Sequence, residues 1–145
     1  MVSGLYHRVI DYIRRPPVTV KPQVPVRDAV KLMFENSIGS IVVVDESGRP
    51  IGIFTERDLL RIVAQGRSLD EPIGDVMTRD PITIKGDEDI VKAALIMSER
   101  RIRHLPVVDE NGVLLGVISI RDVVEAFRKI VVSEVAEKEM GMFTA

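Results

Sequence analysis

The chain says nearly the same thing twice, sixty-four positions apart. The stretch beginning at Asp11 lies on the stretch beginning at Asp75 without a gap: Pro17 on Pro81, Thr19 on Thr83, Ala29 on Ala93 and Met33 on Met97. The run Val43-Val44-Asp45-Glu46 falls on Val107-Val108-Asp109-Glu110, Gly48 on Gly112, Gly52 on Gly116, and Arg57-Asp58 on Arg121-Asp122. Self-similarity at a fixed period marks copies of one structural unit. Each copy has only about sixty residues, too few to bury a comfortable core by itself. The copies are therefore expected to share a core around an approximate two-fold axis. Any site the unit carries then appears twice, or across the seam.

Both copies read as the same order of elements. Val18–Val20 is a short strand, and apolar residues at 26, 29, 30, 33 and 34 mark one face of a helix over 26–36. Ile41–Val44 is β-branched and uninterrupted, as suits a buried strand. Asp45–Gly48 is a turn, since Gly48 tolerates the positive φ that hairpin connections need. Ile51–Phe54 returns as a strand, and a helix follows Thr55. The second copy predicts a strand at Ile82–Ile84, a helix over 88–100, strands at Leu105–Val108 and Leu114–Ile118, and a helix from Ile120. Each unit is β-α-β-β-α. The organisation expected is one unit over residues 9–66, a second over 72–130, and a helical extension or tail over 131–145. A short helical turn is expected within Asp70–Met77.

Composition removes several function classes. Apolar residues make up 46% of the chain, enough for a packed globule, yet no run approaches the ~20 residues of a membrane span. Met1–Ile10 lacks the apolar core of a secretory signal. Without cysteine there is no disulfide, thiolate nucleophile or cysteine zinc site, and a cytoplasmic location fits. A net charge of −2 with 4% aromatics offers little to a nucleic acid backbone. Phosphate-loop, dinucleotide-binding and His-Glu-x-x-His motifs are all missing, and two histidines are too few for a His-rich metal site. The chain is read as neither an enzyme nor a metalloprotein.

What recurs is a strand–turn–helix junction, Gly-x-x-[Thr/Ser]-x-Arg-Asp: Gly52, Thr55, Arg57 and Asp58, then Gly116, Ser119, Arg121 and Asp122. A hydroxyl followed three residues later by an acid is a helix-capping pattern. The same atoms suit a nucleotide. Amides at a helix start and a hydroxyl favour phosphate, and a carboxylate one turn on accepts from a ribose diol. Capping and binding are compatible, so both readings stand. A second constellation, Arg100-Arg101-Ile102-Arg103-His104-Leu105-Pro106, gathers three arginines and a histidine at the mouth of a strand. It is either a solvated helix end or a phosphate contact. Its first-copy counterpart, Asn36-Ser37-Ile38-Gly39-Ser40, carries no positive charge.

Two copies with a Pro-Val/Ile-Thr-Val/Ile opening, a Val-Val-Asp-Glu-x-Gly turn and a Gly-x-x-[Thr/Ser]-x-x-Asp end resemble a tandem pair of cystathionine β-synthase (CBS) domains. The resemblance covers about residues 9 to 130. It implies an α+β fold of two units packed sheet to sheet, with two pseudo-symmetric clefts for adenosine-containing ligands such as AMP, ADP, ATP or S-adenosylmethionine. It also implies regulation of a partner, and homodimers of four CBS units. Carried onto this sequence, it gives crossed clefts. The first combines Ile53, Thr55, Arg57 and Asp58 with Thr78, Asp80, Ile82, Ile102, Arg103, His104 and Pro106. The second combines Val117, Ser119, Arg121 and Asp122 with Arg14, Pro16, Val18, Ile38, Gly39 and Ser40. In each, the acid holds ribose and the hydroxyl lies near phosphate. Ile53, Ile82 and Ile102, or Val18, Ile38 and Val117, would sandwich adenine.

Because Gly39-Ser40 stands where Arg103-His104 stands in the other copy, the Asp58 cleft is expected to be the better site for a phosphorylated ligand. Arg14 and Arg15 partly compensate in the other. Two alternatives remain open: an interaction module with degenerate clefts, and an accessory nucleic-acid binder using the arginine cluster. The apolar positions Val131, Val132, Val135 and Met140 continue past the repeat and suggest a dimer or partner contact.

Overall fold

A computed structural model describes residues 7–144 of the chain. Its strands are β1 (Thr19–Val20), β2 (Ser40–Val44), β3 (Pro50–Thr55), β4 (Thr78–Arg79), β5 (Ile84–Lys85), β6 (His104–Val108) and β7 (Leu114–Ser119). Its helices are α1 (Val26–Glu35), α2 (Glu56–Ala64), α3 (Ile90–Arg100) and α4 (Ile120–Thr144), with single 3-10 turns at Val9–Tyr12 and Ile73–Asp75. The fold is α+β, as expected from the repeat. The second copy's opening strand starts later than expected, at Ile84, leaving Ile82 outside it. Pro81 has no amide for a ladder, and parallel pairing begins only where Ile84 meets Val107.

One sheet has the order β1-β2-β3-β4 and the other β5-β6-β7. In each, the opening strand runs parallel to the middle strand, and the middle strand is antiparallel to the next. The register slips at the same place in both, between Val43 and Val44 and between Val107 and Val108. The turns also match. Asp45 Oδ1 accepts from the amides of Ser47 (2.8 Å) and Arg49 (3.1 Å), and Asp109 Oδ1 from those of Asn111 (2.8 Å) and Val113 (3.0 Å). The two turns meet across the pseudo-axis: the Leu114 amide donates to the Gly48 carbonyl at 3.0 Å, and Arg49 Nε to the Asn111 carbonyl at 2.8 Å.

The segments that precede each copy are exchanged. Val9 is fully buried in the core of the second unit with Ile90, Leu105 and Ile118, although it leads into the first. Ile73 and Val76 are buried in the core of the first unit with Val26, Ile41 and Phe54, although they lead into the second. Matching bridges close the exchange, Arg8 with Asp89 and Pro25 with Pro72. Burying a Val or Ile side chain fully contributes about 1.5–3 kcal/mol, so each leader matters to its host. A third small cluster, Val42, Val44 and Leu114 with Val117 against it, lies between the sheets.

This exchange explains Gly52 and Gly116. A Cβ at Gly52 would run into the Met77 side chain, and one at Gly116 would lie 2.6 Å from Ile13 Cγ2. Met77 and Ile13 are themselves repeat counterparts, so both glycines let the other copy's leader cross the strand closely. After Ile130 the last helix runs on to Thr144, with Val131, Val132 and Val135 half exposed. Residue 145, the end of the expected extension, lies outside the described residues, as does most of the 1–10 stretch. Among the described residues no helix is long and apolar enough to cross a membrane.

Candidate functional site

The two junctions have the same local geometry. The amide of Thr55 donates to Asp58 Oδ2 at 2.9 Å and its hydroxyl to the same oxygen at 3.2 Å, while the Asp58 amide returns to Thr55 Oγ1 at 3.4 Å. In the second copy the Ser119 amide and hydroxyl reach Asp122 Oδ2 at 2.8 and 2.9 Å, and the Asp122 amide returns at 3.2 Å. Both are reciprocal caps, so the capping reading holds in each copy. The caps occupy Oδ2 and leave Oδ1 for other partners. At Asp122 no other hydrogen bond reaches the carboxylate among the described residues. At Asp58, Arg61 Nη2 lies 3.5 Å from Oδ1 and also donates to the Val76 carbonyl at 3.0 Å. Arg61 thus ties the start of α2 to the incoming leader. Its counterpart is Glu125, which pairs with Arg128 instead.

The openings cross as the resemblance implied. Ile53 pairs with Thr78 in the β3–β4 ladder, and the Asp80 amide donates to the Ile51 carbonyl at 3.2 Å. Asp80 holds a left-handed φ of 49°. On the other side Ile13 lies against Gly116, and the charge of Arg14 acts on Glu125 of α4, which places this leader beside the second junction. Arg15 Nη1 reaches the Asn36 carbonyl at the end of α1, at 2.7 Å. Pro16 is exposed, and Val18 packs against the first core. The expected adenine walls divide: Ile82 and Ile102 lean on the second core and Ile38 on the first, while Val117 faces the inter-sheet cluster. Ile53 and Pro106 are buried within their strands.

Strand pairing puts the mouths of the middle strands beside their own junctions. Ser40 sits opposite Thr55, and His104 opposite Ser119. The first residue of α2 donates its amide to the Gly39 carbonyl (3.1 Å), and the first of α4 to the Arg103 carbonyl (2.8 Å). The copies meet at Gly39. A Cβ there would lie 3.1 Å from His104 Nε2 and 3.1 Å from Glu56 Oε1. His104 therefore stands at both junctions rather than at the Asp58 junction alone. Burial holds its imidazole below the ordinary histidine pKa; Glu56 opposes this, Arg103 adds to it, and Asp122 opposes it.

Five arginines around the junctions are left unpaired. The side chains of Arg57, Arg100, Arg101, Arg103 and Arg121 make no hydrogen bond or ion pair among the described residues. Arg8, Arg27, Arg61, Arg67 and Arg128 are all engaged with carboxylates. Ser37 and Arg101, equivalent in the repeat, both take left-handed backbone at the ends of α1 and α3, with φ of 53° and 55°. Non-glycine residues there carry backbone strain of the kind that gathers at functional sites. An open groove of about 440 Å³ lies elsewhere, at the opposite end of β6 from His104, lined among others by Lys85, Glu88, Lys92 and Asp109.

The model of the CBS domain matches residues 9–65 and again 73–129. The chain belongs to the CBS-domain family, as a tandem pair. A relative in Methanopyrus kandleri is 38% identical over 132 residues, covering 90% of this chain and 66% of that protein. A second, in Acidianus ambivalens, is 41% identical over 107 residues, covering 74% of this chain and 65% of that protein. The pair thus spans just under two thirds of either relative. Among solved structures it is similar to a CBS domain protein from Pyrobaculum aerophilum complexed with AMP, at TM-score 0.76 and 36% identity, covering 79% of this chain and 88% of that one. It is also similar to the CBS domain pair of protein MJ0100 in complex with 5′-methylthioadenosine and S-adenosylmethionine, at TM-score 0.80 and 30% identity, covering 86% and 98%.

Sequence reasoning singled out the hydroxyl–acid pairs and missed Arg61. An Asp–Arg pair three apart on a helix was the available signal. Its reach to Val76 depends on the leader exchange, which only the fold reveals.

Proposed function

We propose that this CBS pair is a regulatory module, without catalysis of its own, that binds an adenosine-containing ligand of the AMP, ADP, ATP or S-adenosylmethionine class and passes the bound state to an effector protein in the cytoplasm. The observation that carries the reading is the repeated cap. In both copies a hydroxyl and an acid open a helix, and the other copy's leader crosses the adjoining strand. A ligand lodged there touches both copies and favours one arrangement of the two by its differential affinity. The relatives solved with AMP and with S-adenosylmethionine support the ligand class.

Asp58 or Asp122 would accept from the ribose, and the Thr55 or Ser119 hydroxyl would lie near phosphate. The unpaired Arg103 supports the Asp58 cleft as the better site for a phosphorylated ligand. Charge-assisted hydrogen bonds contribute about 1.5–3 kcal/mol each. A thermal-shift panel of AMP, ADP, ATP and S-adenosylmethionine tests the class. A ligand at a hundred times its Kd stabilises by about 2.7 kcal/mol, a rise of several degrees in Tm at this size. No rise with any of them sinks the reading. It would favour an interaction module instead, for which the exposed Phe34, Leu60 and Val124 are the supporting observation.

A further inference from the structure

The two junctions have one imidazole between them, that of His104. His104 Nε2 lies where a Cβ on Gly39 would be 3.1 Å away, with Glu56 Oε1 at the same distance from that point. Through its strand, His104 faces Ser119, whose amide and hydroxyl hold Asp122 at 2.8 and 2.9 Å. The first copy has Ser40 in the equivalent place, so its junction has no imidazole of its own. The absence of a side chain at Gly39 is what admits this one. Resting on the adenosine reading, we propose that His104 is shared between the clefts, so that a phosphorylated ligand engaging it from the Asp58 side leaves the Asp122 side to bind more weakly.

The physical basis is valence. Nε2 donates one hydrogen bond, and a donor held by one phosphate is lost to another. The charged groups whose fields act on the imidazole are Glu56 from α2, Arg103 from just before its own strand and Asp122 from α4. An anion on the α2 side holds the ring where it already lies, beside Glu56 and Gly39, and keeps Nε2 from a phosphate on the Asp122 side. A charge-assisted hydrogen bond gained or lost changes affinity by about tenfold or more.

The coupling is distinguishable from mere inequality of the sites. AMP titration calorimetry on the wild type gives two stepwise dissociation constants. In Asp58→Ala, only the Asp122 cleft remains and His104 is free to serve it. AMP should then bind about tenfold more tightly than the second AMP binds the wild type. Adding His104→Ala to that background should abolish the gain. Gly39→Ala, which keeps both acids and displaces the ring with a methyl group, should draw the two wild-type constants together. An Asp58→Ala constant equal to the second wild-type constant overturns the sharing while leaving adenosine binding intact. Absence of any AMP binding to the wild type overturns the adenosine reading, and the coupling with it.

Discussion

At the scale of the residue, Gly52 and Gly116 look interchangeable in the sequence and differ in the structure. Both are crossed by the other copy's leader, but Gly52 faces the flexible thioether of Met77 and Gly116 the β-branched Ile13. Methionine re-routes around an added methyl group more readily than isoleucine. Gly116→Ala should therefore destabilise by about 1–3 kcal/mol, and Gly52→Ala by visibly less, in urea unfolding. Equal losses would count against the packing difference. His104 has a pH signature of its own. Its pKa is held below the ordinary value in the fold, so the unfolded chain binds its proton first as pH falls. Its contribution to stability is full above the ordinary histidine pKa and is lost as pH drops through the lowered folded value. Chemical denaturation of the wild type between pH 7.5 and 5 should show that loss, and His104→Gln should flatten the profile over the same interval.

At the scale of the element, the strands and helices were legible because the pattern is written twice. The β-branched runs at 41–44 and 105–108, the turn glycines and the hydroxyl–acid caps each have a local signal. The exchange of leaders has none that a single copy displays. β4 is only Thr78–Arg79, two residues whose strand character comes entirely from pairing with Gly52 and Ile53. The same holds for His104: its strand was clear, but its position against Gly39 and Glu56 depends on how the copies dock. The leaders are consequently integral parts of the fold. Val9→Ala, far from the second unit in sequence, should cost about 1–3 kcal/mol by emptying part of that unit's core. A loss below a few tenths of a kcal/mol would mean the leader is not held there.

At the scale of the whole molecule, two units completed by each other's leaders should unfold as one. Calorimetry should give a single transition with equal calorimetric and van't Hoff enthalpies; two resolved transitions would contradict the interlocking. The outer helices leave Leu60, Val124, Val131, Val132 and Val135 half exposed or more. This fits the homodimer that the family resemblance implies, and sedimentation equilibrium should show twice the chain mass of 16.2 kDa, with Val124→Lys shifting it toward the monomer.

The central claim is that the capped junctions, not the open groove at the far end of β6, are where an adenosine ligand sits. A co-crystal structure with AMP tests it most directly. The account predicts ribose hydroxyls on the Asp58 carboxylate, with phosphate toward Thr55 and Arg103. AMP bound instead among Lys85, Lys92 and Asp109, with both junctions empty, would contradict it.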